Sequence, residues 1–227
     1  MKTIFALILA LAGAPQALPR PVQQAAAPGI DTNTLIDGVD KTFASMKDFQ
    51  ARFIQISKNS VNQSPADEGH LYLTRDKKMR VDYEKPEEKH FVSNGKTLFT
   101  YIPANRQVTQ DPVKDSMVEQ FPLMFLLGRS GLRKEFQTID RRTAKPLIEG
   151  DQVLWLTPNR KNQDIERIEI EVNPRTYLID RMMILNTDKS STEFAFLEIE
   201  INTNIDAKTF EFKPPAGIRV IQESGTK

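Results

Sequence analysis

The sequence predicts a mainly β chain of the α+β class, in which one N-terminal amphipathic helix precedes an antiparallel meander that curls into a barrel or half-barrel. Three observations predict it. Apolar residues alternate with period two over most of the 227 residues. Turn signals separate these runs at short intervals, and a helical spacing of apolar residues opens the sequence after a Pro- and Ala-rich leader. With 39% hydrophobic and 27% charged residues, the chain has enough apolar material for one substantial core.

Taken in order, Lys2 and the apolar run Ile4 to Ala12 read as an export signal over 1–14, too short to span a bilayer, with cleavage expected near 12–17. Residues 15–30, rich in Pro, Ala and Gln, read as a disordered leader. A single domain is expected over 31–227. Leu35, Ile36, Val39, Phe43 and Met46 recur at helical spacing after the cap candidates Asp31 to Thr34. Strand alternation follows in Phe49/Ala51/Phe53, Leu71/Leu73 and Met79/Val81/Tyr83. Phe91 to Ser93 and Thr97 to Phe99 flank Asn94-Gly95, which predicts a two-residue hairpin turn with both central residues at positive φ. Val153 to Leu156, Ile168/Ile170/Val172, Leu178 to Leu185, Phe194 to Ile201 and Phe210 to Phe212 bring the total to about eleven strands.

One segment breaks the rhythm. Between Asp115 and Gly128 the residues Met117, Val118, Phe121, Leu123, Met124, Phe125, Leu126 and Leu127 are apolar, Pro122 starts or interrupts a helical turn, and Gly128 suits a C-cap. A packed core helix and a mobile cover both fit this composition. Two methionines suit a surface that repacks around variable apolar guests.

Chemistry-bearing constellations are sparse. With no cysteine, thiol catalysis, disulfides, thiolate metal sites and lipid attachment through an N-terminal Cys are excluded. His70 and His90 lack metal-ligand spacing and read as surface strand residues. Gly128-Arg129-Ser130-Gly131 is one spacer short of a nucleophile elbow, and Gly95-Lys96-Thr97 lacks the first glycine of a phosphate loop. Glu166, Glu169, Glu171, Glu198 and Glu200 alternate with apolar residues as a solvated strand face does. No catalytic residue, metal site or cofactor is expected, and a net charge of +1 gives no polyelectrolyte excess for nucleic acid.

In the expected order, the sequence carries Phe49-Gln50-Ala51-Arg52-Phe53-Ile54-Gln55, then Gly69-His70-Leu71-Tyr72-Leu73-Thr74-Arg75 with Tyr83 and Pro86. Val92-Ser93-Asn94-Gly95-Lys96-Thr97-Leu98 with Tyr101 and Pro103 comes next, followed by Phe121 to Gly128, Leu154 to Pro158, and Phe210-Glu211-Phe212-Lys213-Pro214-Pro215-Ala216-Gly217-Ile218-Arg219-Val220. Together these resemble LolA, the family of periplasmic carriers of outer-membrane lipoproteins. The resemblance implies an incomplete antiparallel β-barrel of about eleven strands, whose open mouth is covered by the N-terminal helix and a short helical lid. It also implies an apolar cavity for the acyl chains of lipoproteins. Arg75 matches the arginine that ties the covering helices shut, although the family's Arg-Pro pair stands here as Arg75-Asp76. The lid would comprise Phe121, Pro122, Leu123, Met124, Phe125 and Leu127. Lining candidates outside it are Phe49, Phe53, Phe91, Phe99, Tyr101 and Trp155.

The function so implied is that of a soluble, exported, monomeric shuttle without ATP of its own. It would take acylated lipoproteins from an inner-membrane releasing transporter to an outer-membrane acceptor. That acceptor is itself a lipoprotein with an N-terminal Cys, which this sequence lacks, so the match is to the shuttle. A carrier or sensor of another lipid with the same fold, a secreted hydrolase and a structural envelope protein stay open as alternatives.

Overall fold

Leu35, Ile36, Val39 and Phe43 form one buried stripe along helix α1, Thr32–Ser45. The helix starts where predicted: Asp31 is the N-cap and its carboxylate accepts the Thr34 amide at 3.0 Å. It ends as the chain turns extended at Met46. The computed structural model describes residues 30–59, 61–113, 131–142, 145–159 and 164–222. The expected signal, the leader apart from its last residue Ile30, and the lid residues Phe121, Pro122, Leu123, Met124, Phe125 and Leu127 lie outside these described residues; Ile30 packs against the buried cluster and its carbonyl accepts from Arg141.

After α1 the chain runs through β1 (Asp48–Lys58), β2 (Asp67–Thr74), β3 (Lys78–Lys85), β4 (Lys89–Asn94), β5 (Thr97–Ile102) and β6 (Gln107–Pro112). A short helix α2 (Leu132–Glu135) leads into β7 (Phe136–Arg142), then β8 (Gln152–Pro158), β9 (Ile165–Val172), β10 (Ile179–Asn186), β11 (Ser191–Ile201) and β12 (Arg219–Gln222). They form one 12-stranded sheet in the order β12-β6-β5-β4-β3-β2-β1-β11-β10-β9-β8-β7. The order starts and ends on different strands, so the sheet does not close, as an incomplete barrel requires. The pairings are antiparallel except that β12 runs parallel to β6.

Departures from the predicted strands have local causes. β6 and β7 come from Gln-, Thr-, Asp- and Arg-rich stretches that dilute alternation, with Val108 the one fully buried residue of β6. Phe210 closes a 3-10 turn, Ala207–Phe210, capped by Asp206, whose carboxylate accepts the Lys208 amide at 2.9 Å. The chain returns to the sheet only at β12. At Asn94-Gly95 only the glycine takes positive φ (+91°); Asn94 ends β4 and its side chain accepts the Lys96 and Thr97 amides, so the two residues between the strands are Gly95 and Lys96.

Register sorts side chains onto two faces. Phe49 pairs with Leu73, which pairs with Met79; Ala51 aligns with Leu71, Val81 and Phe91. In the other half, Leu154, Ile170, Met182 and Phe194 form one row and Leu156, Ile168 and Ile184 the next. These residues and the α1 stripe make one apolar cluster, so the inner face of the sheet is the floor on which α1 lies.

Candidate functional site: the floor beneath the first helix

The inner floor carries a chain of aromatic rings across the strands. Phe49 meets Phe196 edge-on at 6.1 Å, Phe196 stacks on Phe194 at 6.1 Å, and Phe194 lies 6.3 Å from Phe53. Phe53 meets Tyr83 at 5.0 Å, and Tyr83 meets Phe91 at 5.8 Å. Leu71, Leu73, Met79 and Val81 fill the floor between the rings. Period two aligned every one of these residues. Tyr83, Phe194 and Phe196 were absent from the predicted lining because alternation gives a shared face without saying which face is inside.

Phe49, Phe53 and Phe91 stand on this floor; Phe99, Tyr101 and Trp155 stand on the opposite face. In β5 the inward residue is Leu98, so its neighbours Phe99 and Tyr101 point outward, where they meet Phe212 of the C-terminal segment at 5.5 and 5.9 Å. Val92, Val108 and Phe210 are buried outside the floor cluster, Val92 and Val108 in the same outward-facing rows. In β8 both Leu154 and Leu156 face inward, which turns Trp155 out. Its ring lies between the guanidiniums of Arg142 and Arg167, 3.9 and 4.1 Å from their carbons, and its Nε1 donates to Glu169 Oε2 at 2.6 Å. Aromatic residues on both faces of these strands reflect a sheet covered on two sides in places.

Helix α1 crosses the end of the floor marked by the β2–β3 and β9–β10 turns. Its last turn contains no basic residue, so its carbonyls have no cation of their own. Arg75, in the β2–β3 turn, supplies one. Its Nη2 donates to Phe43 O at 2.6 Å and to Ala44 O, and its Nε donates to Met46 O. The sequence signal for Arg75 was family resemblance alone; its partners are distant in sequence.

Two more ties hold α1. Gly38 lets the Tyr177 ring lie against the helix backbone: a Cβ there would fall 2.2 Å from the ring. On the other side, Asp40 Oδ1 accepts the Leu132 amide at 2.6 Å, and Arg133 reaches Asp37 at 2.9 Å and Asn33 at 3.1 Å. Gly131 is required for that approach, since a Cβ would sit 2.3 Å from Asp40 Oδ2. Loss of water there raises the Asp40 carboxyl above its ordinary range.

The outer face is polar and ionic. His70 Nδ1 lies 3.0 Å from Glu84; His90 lies between Asp82 (2.6 Å) and Glu88 (2.8 Å) and stacks on Tyr101. Arg181 is buried among Glu193, Glu169 and Glu171 at 2.8, 2.9 and 3.0 Å, and Glu171 also accepts the Leu147 and Ile148 amides. Among the described residues no group of three His or acidic side chains is arranged to hold a metal ion, and no helix is long and apolar enough to cross a membrane.

Known proteins are similar to this chain in sequence or in fold. A protein from Chromohalobacter salexigens named outer-membrane lipoprotein carrier protein is 30% identical over 161 residues, covering 70% of this chain and 72% of its own. One of the same name from Azotobacter vinelandii is 29% identical over 174 residues, covering 76% and 81%. A crystal structure of an uncharacterized conserved protein from Thermus thermophilus superposes with a TM-score of 0.51 at 15% identity, covering 84% of this chain and 98% of that one, which speaks to the fold alone. Residues 44–213 match the family described as outer membrane lipoprotein carrier protein LolA, from within α1 to beyond the 3-10 turn, and the chain belongs to that family.

Proposed function

We propose that this protein is a soluble periplasmic carrier that shelters the acyl chains of lipoproteins on the floor beneath α1 and moves them from the inner to the outer membrane. The observation that carries the reading is an open sheet whose apolar inner face is roofed by one helix fastened through polar ties at its edges. Each methylene taken out of water contributes about 0.8 kcal/mol, so an acyl chain crossing an aqueous compartment needs such a shelter. Release without ATP requires that the empty state recover part of the lost contact. An α1 that settles back onto Phe49, Leu73 and Met79 supplies that recovery. In this reading Arg75 is the latch, made and broken as cargo leaves and enters. The lining comprises Phe49, Phe53 and Phe91 with Tyr83, Phe194 and Phe196. The carrier acts as a monomer between an inner-membrane releasing transporter and an outer-membrane lipoprotein acceptor.

The test is release. Purified protein is mixed with vesicles that hold a triacylated lipoprotein and its releasing transporter. The expected result is a soluble one-to-one complex after the vesicles are pelleted. Lipoprotein that stays in the pellet under conditions where a known family member extracts it would refute the reading.

A further inference from the structure

The floor changes character along its length. Where α1 lies it is wholly apolar, with Phe49, Leu73 and Met79 at 1, 0 and 0% exposure. At the other end, near the β1–β2 loop and the β3–β4 turn, the same face carries Gln55, Asp67, Tyr83 and Lys89. Register places them there: Gln55 pairs with Asp67, and Tyr83 pairs with Gly69 on one side and Lys89 on the other, in the row of Phe53. Tyr83 Oη donates to Gln55 Oε1 at 2.7 Å, and Lys89 Nζ lies 5.2 Å above the Tyr83 ring while donating to Asp67 at 3.3 Å. Burial raises the Tyr83 pKa, so the hydroxyl stays a donor.

Polar side chains on an otherwise apolar face lose hydration unless something pairs with them. Tyr83 occupies the Gln55 carbonyl, which fixes the amide so that its NH2 is the end on offer. Among the described residues that nitrogen has one acceptor, Ser57 Oγ at a long 3.4 Å, and the Lys89 ammonium has one, Asp67. Both keep N–H donors for an acceptor-only ligand. The ester head of an acylated lipid is such a ligand: apolar chains that end in ester carbonyls.

Building on the carrier reading, we propose that Gln55, oriented by Tyr83, and Lys89 form a polar subsite that hydrogen-bonds the acyl ester carbonyls at the head of a lipoprotein's diacylglyceryl group, with the chains running along the floor toward α1. Gln55 and Lys89 make the contacts; Tyr83 is a positioning residue. The subsite sets the depth of insertion and separates an acylated head from bare hydrocarbon.

The experiment compares binding of a synthetic diacylglyceryl-cysteine peptide, its dialkyl-ether counterpart with the same chains, and chain-matched phosphatidylglycerol. The proteins are the parent, the paired variant Gln55→Leu/Tyr83→Phe and the single variant Lys89→Met. The parent is expected to prefer the ester peptide over the ether by about tenfold, the effect of one or two hydrogen bonds. In both variants the ratio of ester to ether affinity falls toward unity. Equal loss for ester and ether in the variants, or no ester preference in the parent, overturns the subsite but leaves the carrier reading standing. Tighter binding of phosphatidylglycerol than of the ester peptide overturns the lipoprotein assignment. Failure of the parent to bind any probe strikes the carrier reading itself and takes the subsite with it.

Discussion

Replacing Arg75 with leucine removes the three donor contacts that hold the C-terminal turn of α1. Arg75 is exposed, and water will satisfy the freed carbonyls, so each contact is worth about 0.5–1 kcal/mol rather than the larger value of a buried charged bond. The loss is then about 2 kcal/mol, which includes the favourable placement of a cation at a helix C-terminus. Against it stand Leu35, Ile36, Val39, Phe43 and Met46, all buried, whose transfer from water amounts to about 10 kcal/mol as an upper figure. The helix therefore stays docked in the variant, but its local opening becomes about 30-fold more frequent. Amide hydrogen exchange reads this directly: α1 amides should exchange about 30-fold faster while those of β9 and β10 keep their protection. Arg75→Lys, which keeps the charge but loses the fork, should fall between the two. Unchanged α1 protection, or a loss shared equally by every strand, would show that Arg75 does not hold the last turn of α1, and unchanged cargo uptake and transfer in Arg75→Leu would count against the latch role.

Further outcomes follow from the same contacts. Arg181→Met leaves Glu171, 1% exposed, without its cation and should lower unfolding free energy in urea by about 3–5 kcal/mol; a change below about 1 kcal/mol would contradict the burial argument. Burial first, then the charges of Asp180 and Glu171, raises the Asp151 carboxyl to about 7. Folding therefore takes up a proton, and the stabilising contribution is complete below about pH 4 and lost as pH rises through about 7. Unfolding free energy should fall by up to about 1.4 kcal/mol per pH unit in that window, and Asp151→Asn should flatten the slope; an unaltered slope would exclude Asp151 as its source. Asp40→Ala and Gly131→Ala both undo the tie between α1 and α2, by about 1–2 kcal/mol, and should speed exchange in Leu132–Glu135. An effect of Asp40→Ala without one of Gly131→Ala would mean that the close approach is not needed.

How much of this was legible beforehand depends on what periodicity encodes. The α1 stripe and its Asp31 cap follow from spacing and side-chain chemistry within a few residues, and both are found in place. The floor residues Phe49, Ala51 and Phe53 share a face because alternation demands it. Alternation is silent on sidedness, however, and β5 shows why that matters: with Leu98 inside, Phe99 and Tyr101 belong to an outer cluster that exists only because Phe212, more than a hundred residues later, folds back over it. Trp155 is turned outward for a related reason, since the leucines on either side of it claim the floor. The partners of Arg75 and Asp40 are carbonyl and amide groups of the backbone, which no side-chain pattern records. The polar end of the floor was equally hidden, because Gln55, Tyr83 and Lys89 come together only through the register of β1 to β4.

Placement of the acyl chain on the inner floor is tested by a lipopeptide with a photoreactive group midway along one acyl chain, crosslinked to the protein, with the modified residues mapped by mass spectrometry. That placement predicts adducts at floor residues such as Phe53, Leu71, Val81 and Phe194. Adducts at Phe99, Tyr101 or Trp155 on the outer face, with none on the floor, would contradict it.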